Sequence, residues 1–253
     1  MTKTRGQDAT TIARIDHDEA MLLTAVESRR FAVQLASLGS ADWLKPTDCP
    51  AWDVRALAAH VVGSAAAQAS PREFVRQVWR GRPLRKQIGA DYWWDGMNEL
   101  QVRERAGLSV EDLRAEWTTR AERALRARTR MPRVITGLPL LDLPAPVGRQ
   151  RLAYLFDVGF TRDTWMHRID IAHATGRDLD VDGSHDGRLV ADIVAEWATT
   201  HREPFELDLS GPAGGIYRAG SGGEHVQMDA IEFVRILAGR GSGTGILRHP
   251  LPL

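Results

Sequence analysis

The chain holds one cysteine, Cys49, in 253 residues. That excludes a disulfide framework and a cysteine-based zinc knuckle. Neither sign of charge is in surplus, because 33 Lys and Arg balance 33 Asp and Glu. A nucleic-acid footprint requires a basic excess, so no nucleic-acid partner is expected. No apolar run approaches the roughly 20 residues of a membrane-spanning helix, so no membrane partner is expected either. The first fifteen residues lack the apolar segment of a secretory signal, which makes a cytoplasmic location the expectation. Lysine is scarce, confined to Lys3, Lys45 and Lys86. That arginine bias is common in GC-rich genomes and says nothing about function.

What remains is a composition ordinary for a soluble protein and long enough for one or two domains. Residues 1–15 read as a disordered lead-in. A first helix is expected over about 18–38, with Leu22, Val26 and Val33 on its apolar face and Gly39 as its stop. A second is expected over about 54–69, capped by Asp53, with a further helical piece over 72–80. Residues 81–107 read as irregular and aromatic before a short helical segment over about 98–105, and Tyr92, Trp93 and Trp94 there suit either a substrate-pocket wall or a cluster that packs the loop down. A third helix starts at the capping-box-like Ser109–Asp112 and runs to about Arg130, with Leu113, Trp117, Ala121 and Leu125 on one face. Four prolines make 131–148 a crossover loop. The fourth helix is expected over about 150–175, closed by Gly176. Four amphipathic helices with long crossovers read as a four-helix bundle over 16–177.

After Gly176 the texture changes. A helix is expected over about 186–200. Short alternating segments follow at 205–210, 215–219 and 225–228, separated by glycine-rich turns as in a small antiparallel sheet. A helix capped by Asp229 and a last strand over 245–248 complete a small α+β domain over 185–253. The fold class is therefore α+β. The glycine-rich stretches 211–215 and 239–245 lack the spacing of phosphate-binding loops and read as turns.

The chemistry gathers on the fourth helix. Leu152, Phe156 and Gly159 form a stripe that continues through Asp163, Met166, His167 and Asp170, so an apolar face turns polar partway along. Buried ionisable groups are costly unless paired or metal-bound. An Asp–His hydrogen bond, or a face that emerges into solvent, explains this helix by itself. On the second helix, Leu57, His60, Val61 and Ser64 recur at i, i+3, i+4 and i+7, which puts His60 on the core stripe. Two inward imidazoles and one inward carboxylate suit a three-ligand zinc-type site with an open position. Cys49 has no acid or histidine beside it in sequence and reads as a small residue in a tight turn.

Trp43, the stretch Thr47–Arg55 leading to His60–Gly63, Asp163–Asp170, Leu209–Gly215, Phe233 and the Ala238–Arg240 turn resemble the mycothiol-dependent maleylpyruvate isomerase family. The resemblance spans nearly the whole chain after residue 15. It implies a DinB-like four-helix bundle with a small C-terminal domain. It also implies a divalent metal, zinc first among them, held by His60, Asp163 and His167, and mycothiol as thiol cosubstrate. An active-site arginine in the family falls on Arg240, whose planar fork suits a substrate carboxylate. Asp170 is expected to orient His167 from behind. The family pattern has Glu where this chain has Asp163, one methylene shorter, so weaker metal retention is expected.

These readings imply a metal-dependent thiol enzyme, an isomerase or S-transferase, acting on a small electrophilic substrate that bears a carboxylate. The alternative is a non-catalytic binding or regulatory protein on the same bundle, with a degraded metal site. A metal-dependent hydrolase is a third reading, for which only Asp170 offers a carboxylate base. Substrate, metal identity and oligomeric state are not legible.

Overall fold

The computed structural model describes residues 6–251. They divide into two compact units. One comprises residues 17–137 and 156–179, the other the flanking segments up to 16, 138–155 and from 180 onward.

The first unit is helical. Its helices are α1 His17–Ser37, α2 Val54–Gln68, α3 Pro71–Gln87, α4 Trp93–Arg105, α5 Val110–Thr129, the short α6 Arg133–Thr136 and α7 Phe160–Thr175. Helices α1, α2, α5 and α7 pack around one core, and the α3–α4 hairpin lies against α2. Phe31, Leu35, Trp43, Leu57, Val61, Ala65, Leu113, Trp117, Ala121 and Ile171 fill that core. Asp53 caps α2, its Oδ1 accepting from the Ala56 amide at 2.8 Å. Ser109 caps α5 in the same way through the Asp112 amide at 3.0 Å. Gly176 closes α7.

Two expectations about these helices fail. Leu22 and Val33 are about 70% exposed, and the core face of α1 is instead Ala20, Thr24, Glu27, Phe31 and Leu35. A glutamate in mid-stripe hides that periodicity. Glu27 is buried because Arg168 of α7 donates to its Oε1 through Nε at 2.7 Å. The second failure lies in 81–107: the expected helical segment at 98–105 is there, but helix also takes up Trp93 to Met97 in α4 and, despite Pro83, continues to Gln87 in α3. Tertiary packing outweighs the breaker here. Gly81 meets Gly96 backbone to backbone, and a Cβ on Gly81 would come within 2.7 Å of the Gly96 carbonyl carbon. Two facing glycines let α3 and α4 close.

The second unit holds a four-stranded sheet. Its strands are β1 Gln7–Asp8, β4 Phe205–Ser210, β5 Gly215–Ala219 and β6 Glu224–Asp229, in the order β1-β5-β4-β6. β2 Leu141–Asp142 and β3 Arg149–Gln150 form a separate hairpin, and α8 Asp186–His201 and α9 Ala230–Leu237 are its helices. Alternate residues Phe205, Leu207 and Leu209 point into the core, where Phe205 and Phe233 meet Trp197. The sheet is mixed rather than antiparallel: β4 pairs antiparallel with β5 but parallel with β6. Alternation shows where strands lie, not which neighbours they take.

The expected disordered lead-in falls partly outside the described residues, at 1–5. From Gly6 onward it is structured, with β1 paired to β5 in register Gln7 to Tyr217 and the Ile15 amide bonded to Asp192 Oδ1 at 3.2 Å. Likewise 138–155 joins this unit instead of the bundle. The expected strand at 245–248 is a 3-10 turn.

Candidate metal centre

α2 places His60 and α7 places Asp163 and His167. The His60 and His167 rings meet edge to face with centroids 5.0 Å apart. Asp163 Oδ1 lies 3.5 Å from Nε2 of each. One ligand atom from each residue lies within 4.8 Å of the others. A tetrahedral zinc site with bonds of about 2.0–2.2 Å holds its donors about 3.3–3.6 Å apart, so the two histidine–carboxylate distances already match. Both histidines are buried, while the Asp163 side chain keeps 29% exposure and marks the open side.

The histidines are held from behind. His167 Nδ1 lies 3.0 Å from Oδ2 of the fully buried Asp170, so the proton on Nδ1 is donated there and Nε2 faces Asp163. His60 Nδ1 lies 2.8 Å from Gln101 Oε1 of α4. His60 Nε2 is buried and lacks a hydrogen-bond partner. A buried unsatisfied nitrogen aimed at a carboxylate it does not bond is costly without a cation between them. That orphaned atom, with a donor set of two imidazoles and a carboxylate, fits a zinc-type ion.

The electrostatics agree. Burial would raise the Asp163 carboxyl, but His60 and then His167 hold it well below the usual carboxylate range. Burial also works against charge on His167, yet hydrogen bonds to Asp163 and then Asp170 raise its pKa well above that of an ordinary histidine. Without a cation, His167 thus keeps its proton against Asp163. A metal ion would take that proton's place.

Two neighbours escaped the sequence reading. The ring over the histidines is Trp52, stacked on His60 at 5.0 Å and 28° and 6.4 Å from His167. A tight turn sets it there, with Thr47 Oγ1 donating to the Trp52 carbonyl at 2.8 Å. Cys49 in the same turn brings Sγ 3.8 Å from Asp170 Oδ2, so it stands beside the site and not merely in a turn. The Asp-Cys-Pro-Ala-Trp sequence just before the α2 cap was the available signal.

Tyr92, Trp93 and Trp94 pack chiefly on one another, Tyr92 stacked on Trp94 at 4.6 Å. Trp93 also touches Phe74, Phe74 touches Phe156, and Phe156 touches Phe160. This line of rings ends on α7 three residues before Asp163, a spacing that shares a helix face. Leading into α7, Tyr154–Gly159 is a π-helical turn. It breaks the continuous stripe expected from Leu152, because a π turn takes one more residue than an α turn. Arg240 lies in the other unit, in the turn after α9, where its Nη1 donates to the Ala238 carbonyl at 3.1 Å.

Among the described residues no helix is long and apolar enough to cross a membrane. No curated protein sequence matches the chain. Two solved structures share its fold. A mycothiol-dependent maleylpyruvate isomerase is 18% identical, with a TM-score of 0.59 and coverage of 91% of this chain and 93% of that one. A histidine-to-alanine mutant of a mycothiol-dependent maleylpyruvate isomerase has the same TM-score and coverage at 17% identity. At such identities the likeness establishes the fold. The family described as mycothiol maleylpyruvate isomerase N-terminal domain matches residues 24–172, more than half of the chain and the whole span that carries His60, Asp163 and His167. The chain therefore belongs to the mycothiol maleylpyruvate isomerase family, a family of enzymes.

Proposed function

We propose that this enzyme uses a divalent metal, zinc by its donor set, and mycothiol as thiol cosubstrate, to isomerise a small electrophile that bears a carboxylate or to join the thiol to it. The observation that carries the reading is the convergence of His60 Nε2, His167 Nε2 and Asp163 Oδ1 about one buried point, with His60 Nε2 lacking a partner.

His60, Asp163 and His167 would hold the ion. When bound, such an ion offers an open coordination position and favours the thiolate form of a thiol. Asp170 accepts a hydrogen bond from the Nδ1–H of His167 and fixes the ring. Trp52 covers the His60 ring and keeps water from that side. The line of rings from Trp93 to Phe160, with Tyr92 and Trp94 behind it, is proposed to shape the approach for the apolar part of the substrate. Arg240 is proposed to bind the substrate carboxylate; its support is its place in the Gly-Arg turn and the fork of its guanidinium.

In the isomerase reaction the thiolate sulfur bonds to one carbon of an activated double bond, and the electron pair moves to the conjugated carbonyl. The resulting single bond rotates. The pair then returns, the carbon–sulfur bond breaks and the double bond re-forms, with no net change in oxidation state. In the transferase variant a proton is taken up at the adjacent carbon and the sulfur stays.

The test is metal content and thiol dependence together. Protein purified without chelator should carry about one zinc per chain and convert maleylpyruvate only when mycothiol is supplied. Protein that holds no metal and shows no thiol-dependent turnover would favour the non-catalytic binding protein with a degraded metal site.

A further inference from the structure

We infer that Gln101 and Gln77 form a directional hydrogen-bond relay that fixes the proton of His60 on Nδ1 and so reserves Nε2 for the metal. The inference rests on the reading of His60 as a ligand, and it adds two positioning residues from α3 and α4, helices outside the four that frame the site.

The direction follows from the far end of the relay. Gln77 Nε2 lies 3.1 Å from the Gly63 carbonyl and 2.9 Å from Glu73 Oε1. A carbonyl and a carboxylate only accept, and Glu73 stays ionised because Arg76 holds its pKa below the usual value. Both hydrogens of the Gln77 amide are thus committed, and the flipped amide would set three acceptors against one another. Gln77 Oε1 must then accept, and it does so from Gln101 Nε2 at 2.8 Å. That leaves Gln101 Oε1 facing His60 Nδ1 at 2.8 Å as an acceptor, so Nδ1 carries the hydrogen. The remaining ring nitrogen, Nε2, is the one that faces Asp163.

Burial makes the relay obligatory. Gln77 and Gln101 are both fully buried, and an amide withdrawn from water is costly unless its polar atoms find partners. Gly63 makes room for it. A Cβ there would fall 2.6 Å from Gln101 Cγ, inside any real contact distance, so an alanine would push Gln101 off His60. The same residue accepts from Gln77 through its carbonyl. Where a carboxylate orients His167, a neutral amide pair anchored on Glu73 therefore orients His60.

Nitrogen-15 NMR of the imidazole rings, on metal-free wild-type protein at pH 8, tests this directly. His60 should show a protonated, pyrrole-type Nδ1 and an unprotonated, pyridine-type Nε2. A pyridine-type Nδ1 overturns the relay. This readout needs no metal, so it decides the relay even if zinc fails to bind and the metal reading falls. Zinc titration of variants adds the functional arm. Gln101→Leu should weaken zinc binding by about 10–100-fold and mix the His60 tautomers. Gln101→Glu keeps an acceptor opposite Nδ1 but sets its second oxygen against Gln77 Oε1, so it should keep the Nδ1–H tautomer that Gln101→Leu loses. Equal zinc affinity in wild type and a folded Gln101→Leu, with an unchanged tautomer, would show that Gln101 does no more than fill space.

Discussion

Asp163 Oδ1 stands 3.5 Å from the Nε2 atoms of both His60 and His167, so a carboxylate one methylene shorter than the family's glutamate still meets both imidazoles. The sequence alone makes the shorter reach a defect. In the structure the Asp163 carboxylate nonetheless lies 3.5 Å from both imidazoles, which is the donor spacing of a zinc-type site.

Asp170 is the partner of His167 on the side away from the open position. Asp170→Asn keeps the shape but offers a weaker acceptor, and in one amide orientation a donor. Zinc affinity should fall about 10–100-fold while the fold, followed by circular dichroism, is kept. An unchanged affinity would remove Asp170 from the site.

Arg240 is proposed to bind substrate and not metal. Arg240→Lys retains the charge but loses the bidentate fork. Turnover should drop and KM rise, with zinc content equal to that of wild type. Full activity in this variant would end the proposed role.

Glu27 and Arg168 form a buried ion pair that ties α1 to α7, the helix that carries two of the three proposed ligands. Removing one partner leaves an uncompensated charge in the core. Glu27→Ala should destabilise the protein by about 3–5 kcal/mol, measured by urea unfolding. A loss under about 1 kcal/mol would mean that water reaches Arg168.

The other unit carries a pH-sensitive group. Burial, then the neighbouring His249, pushes His201 down to a pKa of about 4 from an ordinary 6.5. Between these values the unfolded chain binds a proton that the folded chain refuses. Stability from this group is therefore complete above about 6.5 and lost as pH falls toward 4. His201→Phe, which keeps a ring against Trp197, should flatten the decline in stability over that window. An equal slope in both proteins would contradict the assignment.

The second, third and fourth helices of the bundle were legible because their apolar positions recur at helical spacing, while Glu27 hid the core face of the first; His60, Asp163 and His167 stood out because ionisable residues interrupt those stripes. The relay glutamines were not read. Yet Gln77 shares a stripe with Phe74 and Gly81, and Gln101 with Met97, so each is a polar residue on a core face. Pro83 and the aromatics in 81–107 drew the reading toward a loop. The order of the sheet strands and the π turn before α7 leave no comparable signal, because one depends on long-range pairing and the other on a single additional residue.

The central claim is that three side chains make one metal site, and zinc titration of chelator-stripped protein against a competing chromophoric chelator tests it most directly. Wild type should bind one zinc per chain. Asp163→Glu should retain binding, and it has no need to improve it, since the Asp163 spacing already fits. Asp163→Ala, which leaves two imidazoles, should weaken binding beyond the range of the competitor. Equal affinity in wild type and Asp163→Ala would contradict the account, because Asp163 would then hold no metal and the convergence on α2 and α7 would be a buried histidine–carboxylate cluster and nothing more.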